Sequence, residues 1–520
     1  MFLKNNNLFL ISLILLFLNL FIYFDIFSKN TKINFENDGN FNFDDEEINK
    51  ALINGIEAIK YMYDSQLGKA EVSDILENVR NNNLIKKCPS KYFYKSNILI
   101  NKINGKFTKN EDFYLFSAYI DKRNFNKIRI ISSSFKNINL IKNNKYYCHF
   151  HQFNKNIKKD GYWANNIIVE ANIQWIWQRA WDPRNEFYNT FIITCPKVFE
   201  DFETTAVYIS KNNFCILPNS KINFIEINKE LNNYLLKEEE SVVGIKPENI
   251  KIAVCTKGLS FFNESELSSR WMAEWIELQR ALGASSIGVY IYWVPDNVRK
   301  LLEKISERKR VDLINLELPG NSPNQPMSQQ NFILRNRQQK RRHELIPLND
   351  CFYRYSSTHH FVLVIDTDEI VVPLLHKNWQ EMLFSILNDG KWNSEPSSIS
   401  IRNVYVFTQN STEKEKSVFN ESKRSKIIQE REQYGKSFIN TRSVVSVFNH
   451  FGLHRINSNV SKTFHVPANI ALKYHWKNKC PKLELGKEIC QNVENNLIEG
   501  EENILEKLRE RIEKNIEKYF

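Results

Sequence analysis

Several absences narrow the reading of this chain before any motif does. Its eight cysteines (Cys88, Cys148, Cys195, Cys215, Cys255, Cys351, Cys480 and Cys490) include no Cys-x-x-Cys pair. That argues against a zinc ribbon and against a thioredoxin-type redox motif. No internal repeat is visible, which excludes solenoids and propellers. After the apolar run Leu8–Phe24 there is no Ala-x-Ala-like cleavage site, only Tyr23-Phe24-Asp25-Ile26-Phe27, so a cleaved signal peptide is not expected. Nor is there a basic stripe. The net charge is +11 over 520 residues, but Lys, Asn and Ile are abundant throughout, and the one dense basic block, Arg335–His343, falls in a polar, loop-like stretch. Nucleic acid is therefore not expected as a partner.

What is present starts with Leu8–Phe24, apolar apart from Ser12 and Asn19. As a helix it would span about 25 Å, short of a bilayer core of about 30 Å but adequate with its flanks. Residues 1–27 are thus read as a cytoplasmic tail and an uncleaved signal-anchor transmembrane helix. Asn-x-Ser/Thr triplets at Asn263, Asn410, Asn420 and Asn459 and an even cysteine count fit an oxidising lumen. The expectation is a single-pass type II membrane protein of the Golgi or endoplasmic reticulum with a lumenal body. Disulfide connectivity stays open at this level, and Cys255 and Cys351 are equally readable as small core residues.

Composition divides the rest. Residues 28–86 are polar, Asn- and acid-rich, and read as a stem with one helix near Ile48–Tyr63. Residues 87–236 carry short alternating runs such as Phe113–Tyr119, Lys127–Ile131, Phe191–Thr194 and Ala206–Ile209, the signature of an antiparallel β domain. A charged link, Lys237–Pro247, follows. Residues 245–480 then switch to a βαβα rhythm: strand Ile250–Thr256, helix Glu264–Leu282, strand Ser286–Val294, helix Val298–Ser306, strand Val311–Leu318, a polar loop, helix Leu348–Ser357 and strand Phe361–Ile365. Such alternation predicts an α/β fold with a mainly parallel sheet. Residues 481–520 form a charged tail with Ile504, Leu508, Ile512 and Ile516 at helical spacing.

The strand Phe361–Ile365 is unbroken, apolar and β-branched, as in a strand buried on both faces. It runs into Asp366, Asp368 and Glu369. Unpaired buried carboxylates are costly, and ligands of open α/β sheets sit beyond the carboxyl ends of strands. Asp366 and Asp368, two residues apart, suit one hard cation such as Mg²⁺ or Mn²⁺. The plain alternative is an acidic turn capping a helix near His376–Leu387.

Several ordered blocks together resemble glycosyltransferase family 92. They are Lys251–Thr256, Trp275–Gly283, Val289–Tyr292, Asn349–Arg354, Ile365–Pro373, Lys436–Ile439 leading to His450, and Lys473–Trp476, with Phe116–Arg123 similar to the family's amino-terminal part. The chain departs from the family pattern at His475-Trp476-Lys477, where a His-Tyr-Arg-like triplet is usual, and in an extended Arg-rich loop at Gln329–Arg342. The resemblance implies a GT-A-like domain and a metal-dependent transferase, typically moving galactose from UDP-galactose to a glycan hydroxyl in the Golgi. It further implies Asp366 and Asp368 as ligands of Mn²⁺ or Mg²⁺ and of the donor, with a carboxyl-terminal histidine completing the metal set. His450 is preferred for that place, and His475 is assigned to the donor.

A nucleotide diphosphate leaves poorly until its developing charge is neutralised, which a cation on two carboxylates accomplishes. Glu369 is the candidate catalytic residue, as base or ligand-orienting group, with capping as its plain role. Asp350 is a candidate nucleotide contact. Trp275, Glu277 and Arg280 read as structural, the latter two as an i,i+3 pair. Two rivals remain: a catalytically silent, membrane-anchored carbohydrate-binding protein on the same fold, and a dehalogenase-like phosphatase. The phosphatase places its Asp-x-Asp near the domain start, unlike this chain.

Overall fold

A computed structural model describes residues 86–520 except 95–99, 102–104, 124–126, 154–160, 178–181, 197–202, 216–223, 229–241, 391–394, 409–416, 483–489, 492–496, 500–502 and breaks of one or two residues. The apolar run Leu8–Phe24, the expected stem helix and the triplets at Asn410 and Asn420 lie outside the described residues. Among the described helices none is long and apolar enough to cross a membrane.

The β-rich domain forms as its alternation predicts. Phe113–Asp121 pairs antiparallel with Lys127–Ser134, which pairs in turn with Asn189–Pro196. They belong to a sheet of twelve described strands, antiparallel except where Phe224–Asn228 runs parallel to two neighbours. Phe113, Leu115, Ile128, Ile130, Phe191 and Ile193 fill its core. Cys148–Cys195 ties two of its strands, and Cys88–Cys215 closes one edge.

The second half supplies the expected α/β layer. Its strands are β1 (Ile252–Cys255), β2 (Ala284–Trp293), β3 (Val311–Asn315) and β4 (Phe361–Val364). All pair parallel, in the order β3-β2-β1-β4. Beyond β4 the sheet turns antiparallel through β8 (Lys436–Asn440) to β6 (Pro396–Ile401), and β9 (Ser461–His465) closes that edge. A smaller sheet is built on β5 (Glu369–Pro373), β10 (Ala471–Lys477) and β7 (Asn403–Thr408).

Helix α1 (Ser269–Leu282) starts five residues later than the sequence pattern suggests, because the Ser268 side chain accepts the Trp271 N–H and fixes the cap there. It ends at Gly283, whose φ of 134° is open to glycine alone. Helix α2 (Asp296–Arg308) covers β3. The stretch expected as a polar loop is instead two helices, α3 (Pro326–Arg335) and α4 (Arg337–His343). The reason is packing that charge patterning hides. Arg342 is fully buried between the rings of Trp177 and Phe187, 4.2 Å from each, and pairs with buried Asp182 at 3.1 Å. The basic block is therefore in part a domain joint.

Helix α5 (Leu345–Tyr355) packs against both the β domain and the α/β sheet. A disulfide joins its Cys351 to Cys255 of β1. These two cysteines are thus covalently paired, not merely small core residues, and the bridge ties helix α5 to the end of β1. Cys480–Cys490 is the fourth pair. Helix α6 (Trp379–Asp389) follows, and α7 (Asn503–Ile516) lies along α1 with Ile512 and Ile516 buried. Glu277 accepts hydrogen bonds from Asn515 and the Tyr519 hydroxyl of this carboxyl-terminal segment.

Candidate active site

The acid cluster sits where the chain leaves one sheet for the other. Every residue of β4 is buried between β1 and β8. Asp366-Thr367-Asp368 then turns the chain into β5. The turn closes on itself: the Glu369 N–H donates to the Asp366 carbonyl, and the Asp366 N–H donates to Glu369 Oε2, both at 3.1 Å. Helix α1 holds it from behind. Trp271 Nε1 donates to the Thr367 carbonyl at 2.8 Å and Trp275 Nε1 to the Glu369 carbonyl at 2.9 Å. The acids do not cap the helix that follows, since Asn378 fills that role for α6 by accepting the Glu381 N–H.

Four lysines converge on the acids from three elements. Lys257, just past β1, lies 3.1 Å from Asp366 Oδ2 and 3.7 Å from Glu344. Lys436, opening β8, is 3.6 Å from Asp366 and 3.7 Å from Glu369. On β10, residues two apart share a face, so Lys473, His475 and Lys477 all point toward the turn. Lys473 pairs with Glu369, and Lys477 Nζ lies 2.7 Å from Asp368 Oδ2. His475 Nε2 is 3.3 Å from the same Asp368 oxygen, its ring stacks on Tyr405, and its Nδ1 makes no hydrogen bond.

These contacts set the protonation states. Burial raises the carboxyls of Asp366 and Glu369, but the lysines outweigh it and hold both well below the usual range. Asp368 is held down likewise, by His475 and Lys477. Burial pushes His475 below the usual imidazole value, against the opposing pull of Asp368. Burial and Lys436 push His450 down to about 3.

The expected residues thus divide. Asp366, Asp368, Glu369 and His475 come together. His450 stands beside Lys436 with its Nδ1 on the Gly435 carbonyl at 2.7 Å. Among the described residues no three His, Cys, Asp or Glu side chains form a ready-made metal cage, so neither His450 nor His475 completes a preassembled set with Asp366 and Asp368. Glu369 is buried and paired with both Lys473 and Lys436. Asp350 is fully buried elsewhere. It accepts the hydroxyls of Tyr119 at 2.6 Å and Tyr290 at 2.5 Å and pairs with Arg354 at 3.1 Å. Both its oxygens are used in tying the β domain to α5 and β2.

Lys257, Glu344 and Trp271 were not singled out by the sequence, and Lys477 entered only as the last residue of the His475-Trp476-Lys477 departure from the family triplet. Lys436 and Lys473 open two of the family-like blocks, and the period of β10 would have pointed to Lys477.

The model of glycosyltransferase family 92 matches residues 250–520. The chain belongs to that family. The match begins at β1 and runs through α7, so the charged carboxyl-terminal helix lies inside it and the β domain outside. The acid turn and every lysine of the cluster lie within the matched region. Membership supports a glycosyltransferase and with it a nucleotide-sugar donor and a glycan acceptor, and it leaves no place for a dehalogenase-like phosphatase. No curated protein matches the chain.

Proposed function

We propose that this glycosyltransferase is metal-dependent and moves a hexose, galactose from UDP-galactose, onto a glycan hydroxyl. The observation that carries the reading is the pairing of Asp366 and Asp368 at the end of a core strand, inside a family 92 domain. The donor atoms suit a hard divalent cation: two carboxylates, each less than half exposed, and the His475 imidazole, whose Nε2 lies 3.3 Å from Asp368 Oδ2. Mg²⁺ and Mn²⁺ commonly take only one or two protein carboxylates and complete their shell with donor phosphates and water, so a full protein cage is not required. Asp366, Asp368 and His475 would hold the ion.

A bound cation supplies Lewis-acid stabilisation of the charge that develops on the leaving diphosphate. The chain's own residues do the remaining work. Lys257 and Lys477 bring positive charge to the mouth of the site. Lys436 and Lys473 fix Glu369, and Glu369 fixes the turn through the Asp366 N–H. Trp271 and Trp275 hold the turn's carbonyls, so the two aspartates are presented without reorganisation at the moment of reaction.

We place the enzyme in the Golgi or endoplasmic reticulum membrane, anchored through Leu8–Phe24 with this body in the lumen. Four disulfides and exposed sequon residues Asn263 and Asn459 support that placement. The deciding experiment offers the purified chain a panel of UDP-sugars with glycan acceptors, with and without Mn²⁺, and follows UDP release. Release from UDP-galactose alone, dependent on Mn²⁺ and reduced at least about a hundredfold in Asp366→Asn/Asp368→Asn, is expected. No release from any donor by the folded protein would leave the silent carbohydrate-binding protein as the reading.

A further inference from the structure

The ion pairs of the site fall into two tiers. The inner tier is Glu369 with Lys473 and Lys436, whose side chains are 3%, 0% and 6% exposed. The outer tier is Lys257 on Asp366, with exposures of 34% and 21%, and Lys477 on Asp368, with 31% and 39%; Lys436 of the inner tier also lies 3.6 Å from Asp366 and stays there when Lys257 leaves. Buried pairs resist separation because each charge is left without a partner. Half-exposed pairs give way easily, since water replaces the lost contact and the lysine stem is long and flexible.

The exchangeable lysines stand on the two carboxylates that the proposed donor site assigns to a cation. An ammonium and a divalent cation cannot share one carboxylate oxygen without strong repulsion. If a cation arrived alone, it would displace Lys257 and Lys477 and leave two ammonium groups facing a dication. A diphosphate arriving with it supplies the negative charge those ammonium groups would then lack.

We propose that Lys257 and Lys477 are exchange arms. They neutralise Asp366 and Asp368 while the donor is absent, and pass to the donor diphosphate when a cation takes the carboxylates. Cation and diphosphate therefore load together, each strengthening the other by the same factor. This rests on the donor-site reading above.

The test measures free Mn²⁺ by electron paramagnetic resonance during titration of the full chain, with and without UDP. Wild type is compared with Lys477→Gln, Lys257→Gln and Lys477→Arg, with circular dichroism confirming the fold of each. UDP is expected to tighten Mn²⁺ binding at least tenfold in wild type and in Lys477→Arg. In each glutamine variant the factor should shrink to threefold or less, chiefly because Mn²⁺ alone binds more tightly. An unchanged Mn²⁺ affinity on adding UDP to wild type, or full coupling retained in both glutamine variants, overturns the exchange and leaves the donor site standing. Failure of folded wild type to bind either Mn²⁺ or UDP overturns the donor site and the exchange together.

Discussion

Replacing Glu369 by Gln removes one charge from the innermost pair while keeping its shape. Lys473 is fully buried, and Glu369 is the carboxylate paired with it among the described residues. An uncompensated buried charge costs about 3–5 kcal/mol. The reverse change, Lys473→Met, is milder, because Glu369 keeps Lys436 at 3.7 Å and the Asp366 N–H at 3.1 Å; about 1–3 kcal/mol is expected. The double variant removes both charges and should recover most of the loss, since apolar replacement of a buried pair is often near neutral. Urea unfolding read by tryptophan fluorescence suits the test, as Trp271 and Trp275 both bond the same turn. Strictly additive losses, or a larger loss in Lys473→Met than in Glu369→Gln, would refute the reasoning. The pH dependence gives a second check. Glu369's carboxyl is held below its unfolded value of about 4.3. Its contribution is therefore complete above that value and is lost as pH falls toward the folded one. Wild type should lose stability on acidification from about pH 5 downward more steeply than Glu369→Gln.

Three further outcomes follow from other contacts. The Cys255–Cys351 bridge spans 96 residues, so Cys255→Ala/Cys351→Ala should lose up to about 4.7 kcal/mol on the chain-entropy account; an unchanged thermal midpoint would contradict it. Tyr119→Phe should cost about 1–3 kcal/mol by stranding Asp350 Oδ1, and Tyr290→Phe less, because Arg354 still donates to Oδ2 at 3.1 Å, with UDP affinity unchanged in calorimetry in both. Loss of UDP affinity without loss of stability would instead place Asp350 at the nucleotide. Trp271→Phe deletes the bond to the Thr367 carbonyl and should slow UDP release by about tenfold with little change in midpoint; a wild-type rate would show that the turn needs no support from α1.

The sequence made some elements legible because their signals are local. The β4 run, its acidic end and the alternation of β1 to β4 with helices are read within windows of a few residues, and each is found in place. Boundaries moved where one side chain decides them, as Ser268 does for α1. What stayed hidden depends on distant partners. Arg342 looked like part of a solvated basic loop because Trp177, Phe187 and Asp182, which bury it, lie more than 150 residues earlier. Asp350 looked like a ligand-facing acid because its tyrosine partners come from the β domain and from β2. Cys255 and Cys351 could not be paired by spacing, which carries no information on Cα separation.

The departure of β5 from the core sheet explains why the acid turn can serve as a site. Had the chain continued as a core strand, Asp366 and Asp368 would face apolar layers and the fold would not tolerate them. Because it crosses to a second sheet, the turn opens a gap that other elements must fill with positive charge. Lys257 comes from the parallel half, Lys436 from its antiparallel extension, and Lys473 and Lys477 from the second sheet. The fold thereby separates two demands that one set of charges could not meet. The buried pairs on Glu369 fix the geometry, with Lys436 reaching Asp366 as well, and the partly exposed Lys257 and Lys477 are the partners of Asp366 and Asp368 that can exchange. A rearrangement at the outer tier then needs no movement of the strand that presents it.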